Sequence, residues 1–295
     1  MDWHSKDALC VIVARGRFLS PTFFVMPHIT RKLITGLAAT ALVVVVMPAS
    51  SAQASGARCP AGFEISDHRG DYGPGPEQAD ENTLPAIRAS ARRGDAVELD
   101  VSSLKDGTEI LFHDARWNRA TDAAGRVART RWRQARSILV QPHDTHLARL
   151  TEALRLTRRL GVTPVYLDIK GGTSEHITHV ANILHRTHTA RRVLITSWTR
   201  KTGEVAPGLR RMYKPDGPAP SLAEVRTLHV QAVGLHVGQM NHKPTLVSRL
   251  RHRLGVKVTS RIASTTEEWA DVMRYPVQGM LTSRGAALAR WCAGE

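Results

Sequence analysis

Cysteine is scarce in this chain of 295 residues: there are three, too few for a disulfide-built scaffold. Aromatic residues are only 5% of the total, which leaves little surface for stacking bases. No nucleic-acid recognition motif accompanies the basic balance, so specific nucleic-acid binding is not expected. A GxSxG nucleophile elbow, an HExxH helix and a GxxxxGK[ST] phosphate loop are all missing. Their absence sets aside serine hydrolases, zinc proteases and P-loop enzymes. There is no internal repeat and no low-complexity linker, so a single domain is expected after the N-terminal region.

Acidic residues are outnumbered, 26 against 41 Lys+Arg. Residues 55–295 hold 36 of the basic and 24 of the acidic residues, a formal charge of +12. The excess is mostly arginine spread along the chain. It reads as a solvated surface with an attraction for phosphate substrates or an anionic lipid surface.

The longest apolar run, Leu33–Met47, is short for a membrane span, which needs about 20 residues. Arg31 and Lys32 precede it and Ala52-Gln53-Ala54 follows, the pattern of a cleaved secretory signal. Met26 stands where such a signal would start. The expected organisation is therefore an N-terminal extension plus signal over 1–54 and an exported domain over 55–295. Cys59 and Cys292 lie at opposite ends of that domain. Two readings stand, a bridge between the ends or two separate thiols, and an oxidising compartment favours the bridge.

Past the signal, short apolar runs alternate with amphipathic stretches. Strands are expected at 64–67, 96–101, 109–112, 163–169, 193–197, 209–213, 231–236, 256–260 and 278–282. Helices are expected at 83–93, 147–160, 174–187, 221–228, 244–254 and 265–274. Alternating β and α units imply a parallel sheet covered by helices. Nine strands for eight places make one pair, 96–101 with 109–112, a hairpin-like excursion around Lys105-Asp106-Gly107.

The strand Ala96-Val97-Glu98-Leu99-Asp100-Val101 has an unusual face. Val97, Leu99 and Val101 share one side, and Glu98 and Asp100 share the other. Two carboxylates about 7 Å apart on one buried strand repel each other. A divalent cation with oxygen ligands resolves that conflict. The strand Val165–Lys170 repeats the pattern, with Asp168 and Lys170 facing inward beside outward Leu167 and Ile169. Asp168 offers a third carboxylate, and Lys170 a cation for a phosphate oxygen. His68 and His113 each close an apolar strand at its C-terminal end, where barrels keep their chemistry. Two such histidines can serve as base and acid at a phosphodiester.

The order HRG at 68–70, ENT at 81–83, VELDVSSLKDGTEILFHD at 97–114, Arg119-Ala120-Thr121, LDIK at 167–170 and ITSW at 195–198 resembles the glycerophosphodiester phosphodiesterase family. The resemblance implies a TIM (β/α)8 barrel and a calcium or magnesium ion on Glu98, Asp100 and Asp168. It implies His68 and His113 as the acid/base pair, Arg69 and Lys170 on the phosphate, and Glu81 and Asn82 supporting the ion ligands. It further implies a small glycerophosphodiester substrate; a monomer is expected. The family usually has Glu where Asp168 stands, as the related sphingomyelinase D-type phospholipases do not, and Phe where Trp198 stands. The Trp-Thr-Val-Asn-like segment of the late strands is Arg261-Ile262-Ala263-Ser264 here, and Thr-Asp-x-Pro is Thr282-Ser283-Arg284-Gly285. Trp198 still offers a face for a glycerol or head group, and His236 either lines the pocket mouth or packs. A phospholipase D-like activity on lipid substrates, and a non-catalytic binder of phosphate head groups, are the competing readings. His176-x-x-His179 and His185-x-x-His188 have helical spacing and read as a solvated face, and His143 and His146 as loop residues.

Overall fold

The computed structural model describes residues 57–295 apart from 74, 76 and 77, so the secretory-signal reading of 1–54 lies outside the described residues. Eight parallel strands form the central sheet: β1 Glu64–His68, β2 Ala96–Ser103, β3 Val165–Ile169, β4 Val193–Ile195, β5 Met212–Tyr213, β6 Ala232–Leu235, β7 Lys257–Ser260 and β8 Gly279–Thr282. Their order is β4-β3-β2-β1-β8-β7-β6-β5. A parallel bridge between Ile195 and Arg211 brings the two edges together, so the sheet is a nearly closed barrel. The architecture is the expected (β/α)8 barrel.

Helices cover its outside: α1 Leu84–Arg93, α2 Leu150–Leu160, α3 Ser174–Arg186, α4 Thr199–Val205, α5 Leu222–Leu228, α6 Val237–His242, α7 Leu246–Leu254, α8 Thr266–Met273 and α9 Gly285–Ala293. Helix α1 shows why these segments start and stop where they do. Thr83 caps its N-terminus by accepting from the Ala86 N–H, and Gly94 ends it in the left-handed conformation. Ala86 and Ile87 are buried, and Ile87 joins the outward residues of β2 in one apolar cluster.

The alternation read from β2 and β3 is realised. Val97, Leu99, Val101, Val165, Leu167 and Ile169 all belong to the buried layer between sheet and helices. A second layer, with Val233, Leu235, Val258, Met280 and Trp269, does the same for the other half of the barrel. The lower lumen holds Ala96, Tyr166, Leu194, Met212 and Ala232. There the Tyr166 hydroxyl donates to Glu64 at 2.7 Å, and Lys257 also pairs with Glu64.

The excursion predicted between 96–101 and 109–112 exists and extends further than a hairpin. Residues Glu109–Leu111 pair antiparallel with Val101–Ser103. The chain then continues through short turns to Leu147 around its own apolar cluster of Ile110, Phe112, Trp117, Val127 and Val140. At the base of the molecule Cys59 and Cys292 form a disulfide, with 4.8 Å between their Cα atoms. No helix of the described residues is long and apolar enough to cross a membrane.

Candidate active site

Strand register assembles the site. Asp100 lies opposite Asp168 across β2 and β3, and His68 lies opposite Glu98 across β1 and β2. Glu98, Asp100 and Asp168 can each present a carboxylate oxygen with all three within 4.8 Å of one another. Burial, together with the neighbouring Asp100, pushes the Glu98 carboxyl up to about 8. Burial raises Asp168 too, but Lys214 and then Lys170 outweigh it and hold its carboxyl below the ordinary range. Three hard oxygen donors that repel one another fit a calcium- or magnesium-type ion, and this cluster could hold one.

The loop after β1 is built to serve this cluster. Arg69 has φ 61 and Gly70 φ 79. A Cβ on Gly70 would sit 2.8 Å from the Ala86 Cβ, so glycine lets the turn lie directly on α1. The turn aims the Arg69 N–H at Glu98, 3.2 Å away. The Arg69 side chain reaches Glu81 at 3.1 Å and Asp100 at 3.3 Å. Asn82, also left-handed at φ 57, donates from Nδ2 to Asp100 Oδ2 at 2.8 Å and accepts from the Asp100 N–H at 3.0 Å. Non-glycine residues held in this region mark places where packing imposes the backbone.

The two histidines are held differently. His68 Nδ1 lies 3.0 Å from the Ser283 hydroxyl. Burial and then the Arg69 guanidinium push its imidazole down to about 4, so it is neutral near pH 7. His113 Nδ1 lies 2.6 Å from Asp114 Oδ1. Arg119 joins Asp114 at 2.5 Å to Glu81 at 2.6 Å. Burial works against ionisation of Asp114, and hydrogen bonds from Arg119 and His113 overcome it, so its carboxyl lies below the usual range. Arg119 and Asp114 thus form a rim clamp to which the sequence reading gave no role.

Lys170 bonds Asp100 at 2.8 Å and Asp168 at 2.9 Å. It lines two cavities of about 660 and 720 Å³. The first also contains Asp168, Trp198 and Lys214, and the second contains His113 and Asp114. Trp198 is 46% exposed and its indole N–H donates to the Ile169 carbonyl at 2.7 Å. The segments that depart from the family pattern have work in this chain. Ser283 partners His68, and Arg261 reaches Asp216 at 2.9 Å.

Several sequence expectations need correction. His236 lines neither of these cavities; its backbone N–H is capped by the Gln239 side chain at the start of α6. His176 is largely buried rather than solvated and His179 is half-exposed; their imidazoles hold the two oxygens of the buried Glu109 carboxylate at 2.8 and 3.0 Å. His143 is not a plain loop residue either: it sits 2.8 Å from the buried Asp80 and ties the excursion to the ENT segment. In each case the partner is distant in sequence, so spacing could not reveal it. Lys214 was missed for the same reason. It follows β5 and approaches Asp168 to 3.6 Å.

Comparison with known proteins agrees with this geometry. The chain is 34% identical over 113 residues to mouse glycerophosphodiester phosphodiesterase 1, which covers 35% of this chain and 33% of the relative. The human protein of the same name is 35% identical over 115 residues, again covering 35% and 33%. The aligned part therefore spans about a third of these relatives. Among solved structures, a glycerophosphodiester phosphodiesterase from Parabacteroides distasonis superposes with TM-score 0.68 at 14% identity, covering 78% of this chain and 96% of that one. A phosphodiesterase from Oleispira antarctica, solved with sn-glycerol-3-phosphate, gives TM-score 0.66 at 19% identity, covering 78% and 96%. These structural likenesses speak for the fold alone. The family model described as the glycerophosphoryl diester phosphodiesterase family matches residues 68–284, most of the chain, and the chain belongs to that family.

Proposed function

We propose that the chain is an exported, metal-dependent phosphodiesterase that hydrolyses glycerophosphodiesters to glycerol phosphate and an alcohol. The observation that carries this reading is the convergence of Glu98, Asp100 and Asp168 at the C-terminal end of the barrel, with His68 in register beside Glu98. Glu98, Asp100 and Asp168 would hold calcium or magnesium, which supplies charge stabilisation at the phosphoryl oxygens.

The chain's own residues do the rest. Lys170 and Arg69 place cations around the carboxylates and orient a phosphate there. Neutral His68 takes the proton of the glycerol hydroxyl next to the diester, with Ser283 fixing its ring. That oxygen forms a bond to phosphorus, and the bond to the departing alcohol breaks. His113, held by Asp114, gives the alcohol oxygen its proton. Water then opens the cyclic phosphate with the two imidazoles in reversed roles. Trp198 offers its exposed face to the glycerol or head group. Glu81 and Asn82 hold Arg69 and Asp100 in place.

Export rests on the signal-like pattern of 31–54 and agrees with the Cys59–Cys292 bridge. A lipid diester substrate, split in a phospholipase D-like manner at a membrane surface, is the second reading, favoured by the exposed Trp198 at the cavity wall. Assaying residues 55–295 on glycerophosphocholine beside lysophosphatidylcholine and sphingomyelin separates the two. Turnover confined to lipids would overturn the glycerophosphodiester assignment, and binding of head groups without turnover would make the protein a binder.

A further inference from the structure

Among the described residues, Lys214 is the one lysine facing the carboxylate cluster with no hydrogen bond to a protein acceptor. Lys170 is fixed by two carboxylates at 2.8 and 2.9 Å. Lys201, on the cavity wall, donates to the Gly172 carbonyl at 3.1 Å. The Lys214 ammonium stands 3.6 Å from Asp168, beyond hydrogen-bond range, with its side chain only 16% exposed. Apart from this longer pairing with Asp168, no side chain or carbonyl of the described residues accepts from it, so its donors remain available.

Its placement is specific. The stem of Lys214 passes over Gly234 of β6, where an added Cβ would meet Lys214 Cγ at 3.4 Å and Met212 Cε at 2.6 Å. That passage carries Lys214 to the wall shared by the lumen and the cavity of about 660 Å³ beside Trp198.

Charge arithmetic says what it is for. Glu98, Asp100 and Asp168 carry three negative charges when ionised, and Arg69, Lys170 and Lys214 three positive ones. Arg69 is also paired with Glu81, so these charges come close to cancelling before any ion binds. The five-coordinate phosphorus species formed on attack places one more negative charge on the phosphoryl oxygens than the diester does, and Lys214 is a cation placed to receive it. Stabilising that species more than the diester is what raises a rate.

We propose that Lys214 is a substrate-contacting residue of this site, donating to a non-bridging phosphoryl oxygen. The inference rests on the phosphodiesterase reading. Its test uses Lys214→Met and Lys214→Arg in the full exported chain, with kcat and KM on glycerophosphocholine and calorimetric affinity for the ion that supports turnover. Lys214→Met should lower kcat by about 100-fold or more, the typical loss for one preorganised donor. KM should stay within about threefold, since the contact strengthens during reaction. Ion affinity should be equal or tighter, because a cation near Asp168 has been removed. Lys214→Arg should recover about tenfold of the lost kcat, the charge being kept and the fork imperfectly placed. A kcat within about threefold of the parent would overturn the inference while the parent's turnover keeps the phosphodiesterase reading. So would a fall in kcat matched by an equal fall in ion affinity, which would make Lys214 a mere support for the carboxylates. No turnover by the parent chain would overturn the phosphodiesterase reading and this inference with it.

Discussion

Replacing Asn82 by alanine should damage both the fold and its ion site, and the structure sets the size of the effect. The residue is 2% exposed and makes two hydrogen bonds to Asp100. Loss of the Nδ2 donor to a carboxylate costs about 1.5–3 kcal/mol. The Asp100 N–H, left buried without an acceptor, costs about 1–3 kcal/mol. Alanine at φ 57 adds about 1 kcal/mol, which Asn82→Gly should spare. These terms share one cavity and do not add fully, so the expected loss is about 3–5 kcal/mol. Urea unfolding followed by circular dichroism in chelator would measure it. Calorimetry should also find ion affinity reduced by about 10–100-fold, as for other residues that orient a metal ligand. A loss under about 1 kcal/mol with unchanged ion affinity would mean that Asn82 does not hold Asp100 in place.

Three further expectations follow from other contacts. The His68 imidazole should titrate with a midpoint of about 4 in an NMR pH series on the ion-free protein; a midpoint at or above 6.5 would contradict the effect of its burial. Because its folded pKa lies below the unfolded value, stability should fall as pH drops from about 6.5 toward 4 on this group's account. Converting Cys59 and Cys292 together to serine opens a loop of 233 residues, for which chain entropy gives an upper figure of about 5 kcal/mol. The Tm should then fall by about 10 °C, and a change under about 3 °C would show that β1–β8 pairing alone holds the ends. His176→Ala leaves the Glu109 carboxylate, 1% exposed, with one imidazole, and should lower unfolding stability by about 3 kcal/mol; a denaturation midpoint equal to the parent's would contradict the buried pairing.

The carboxylate cluster was legible because a strand's period of two separates its faces. Glu98 and Asp100 interrupt an otherwise apolar β2, and Asp168 repeats the interruption in β3, so charge on a buried face declares itself. The long helices α1, α2 and α3 were legible by their 3.6-residue apolar period. Helix α4 was not, since it begins after Trp198 in a left-handed conformation and contains Gly203. That glycine lets the buried Arg211 pass, because a Cβ there would lie 1.7 Å from its Nη1, a packing fact no local pattern expresses. The strand expected at 209–213 is present as the two-residue β5, but Lys214 after it looked like any other cation in a basic chain. The Asp80–His143 and Glu109–His176 pairs join residues 63 and 67 positions apart, which spacing along one chain does not encode. Ser283 was visible only as a departure from the family pattern; its partner His68 is 215 positions away.

Glycerophosphocholine turnover by residues 55–295, measured with magnesium or calcium and then with excess chelator, tests the metal-dependent activity directly. Glycerol phosphate and choline should be released with the ion, release should stop with chelator, and it should recover when the ion is restored. Release unaffected by chelator would contradict the role given to Glu98, Asp100 and Asp168, and a folded protein releasing nothing with either ion would contradict the activity itself.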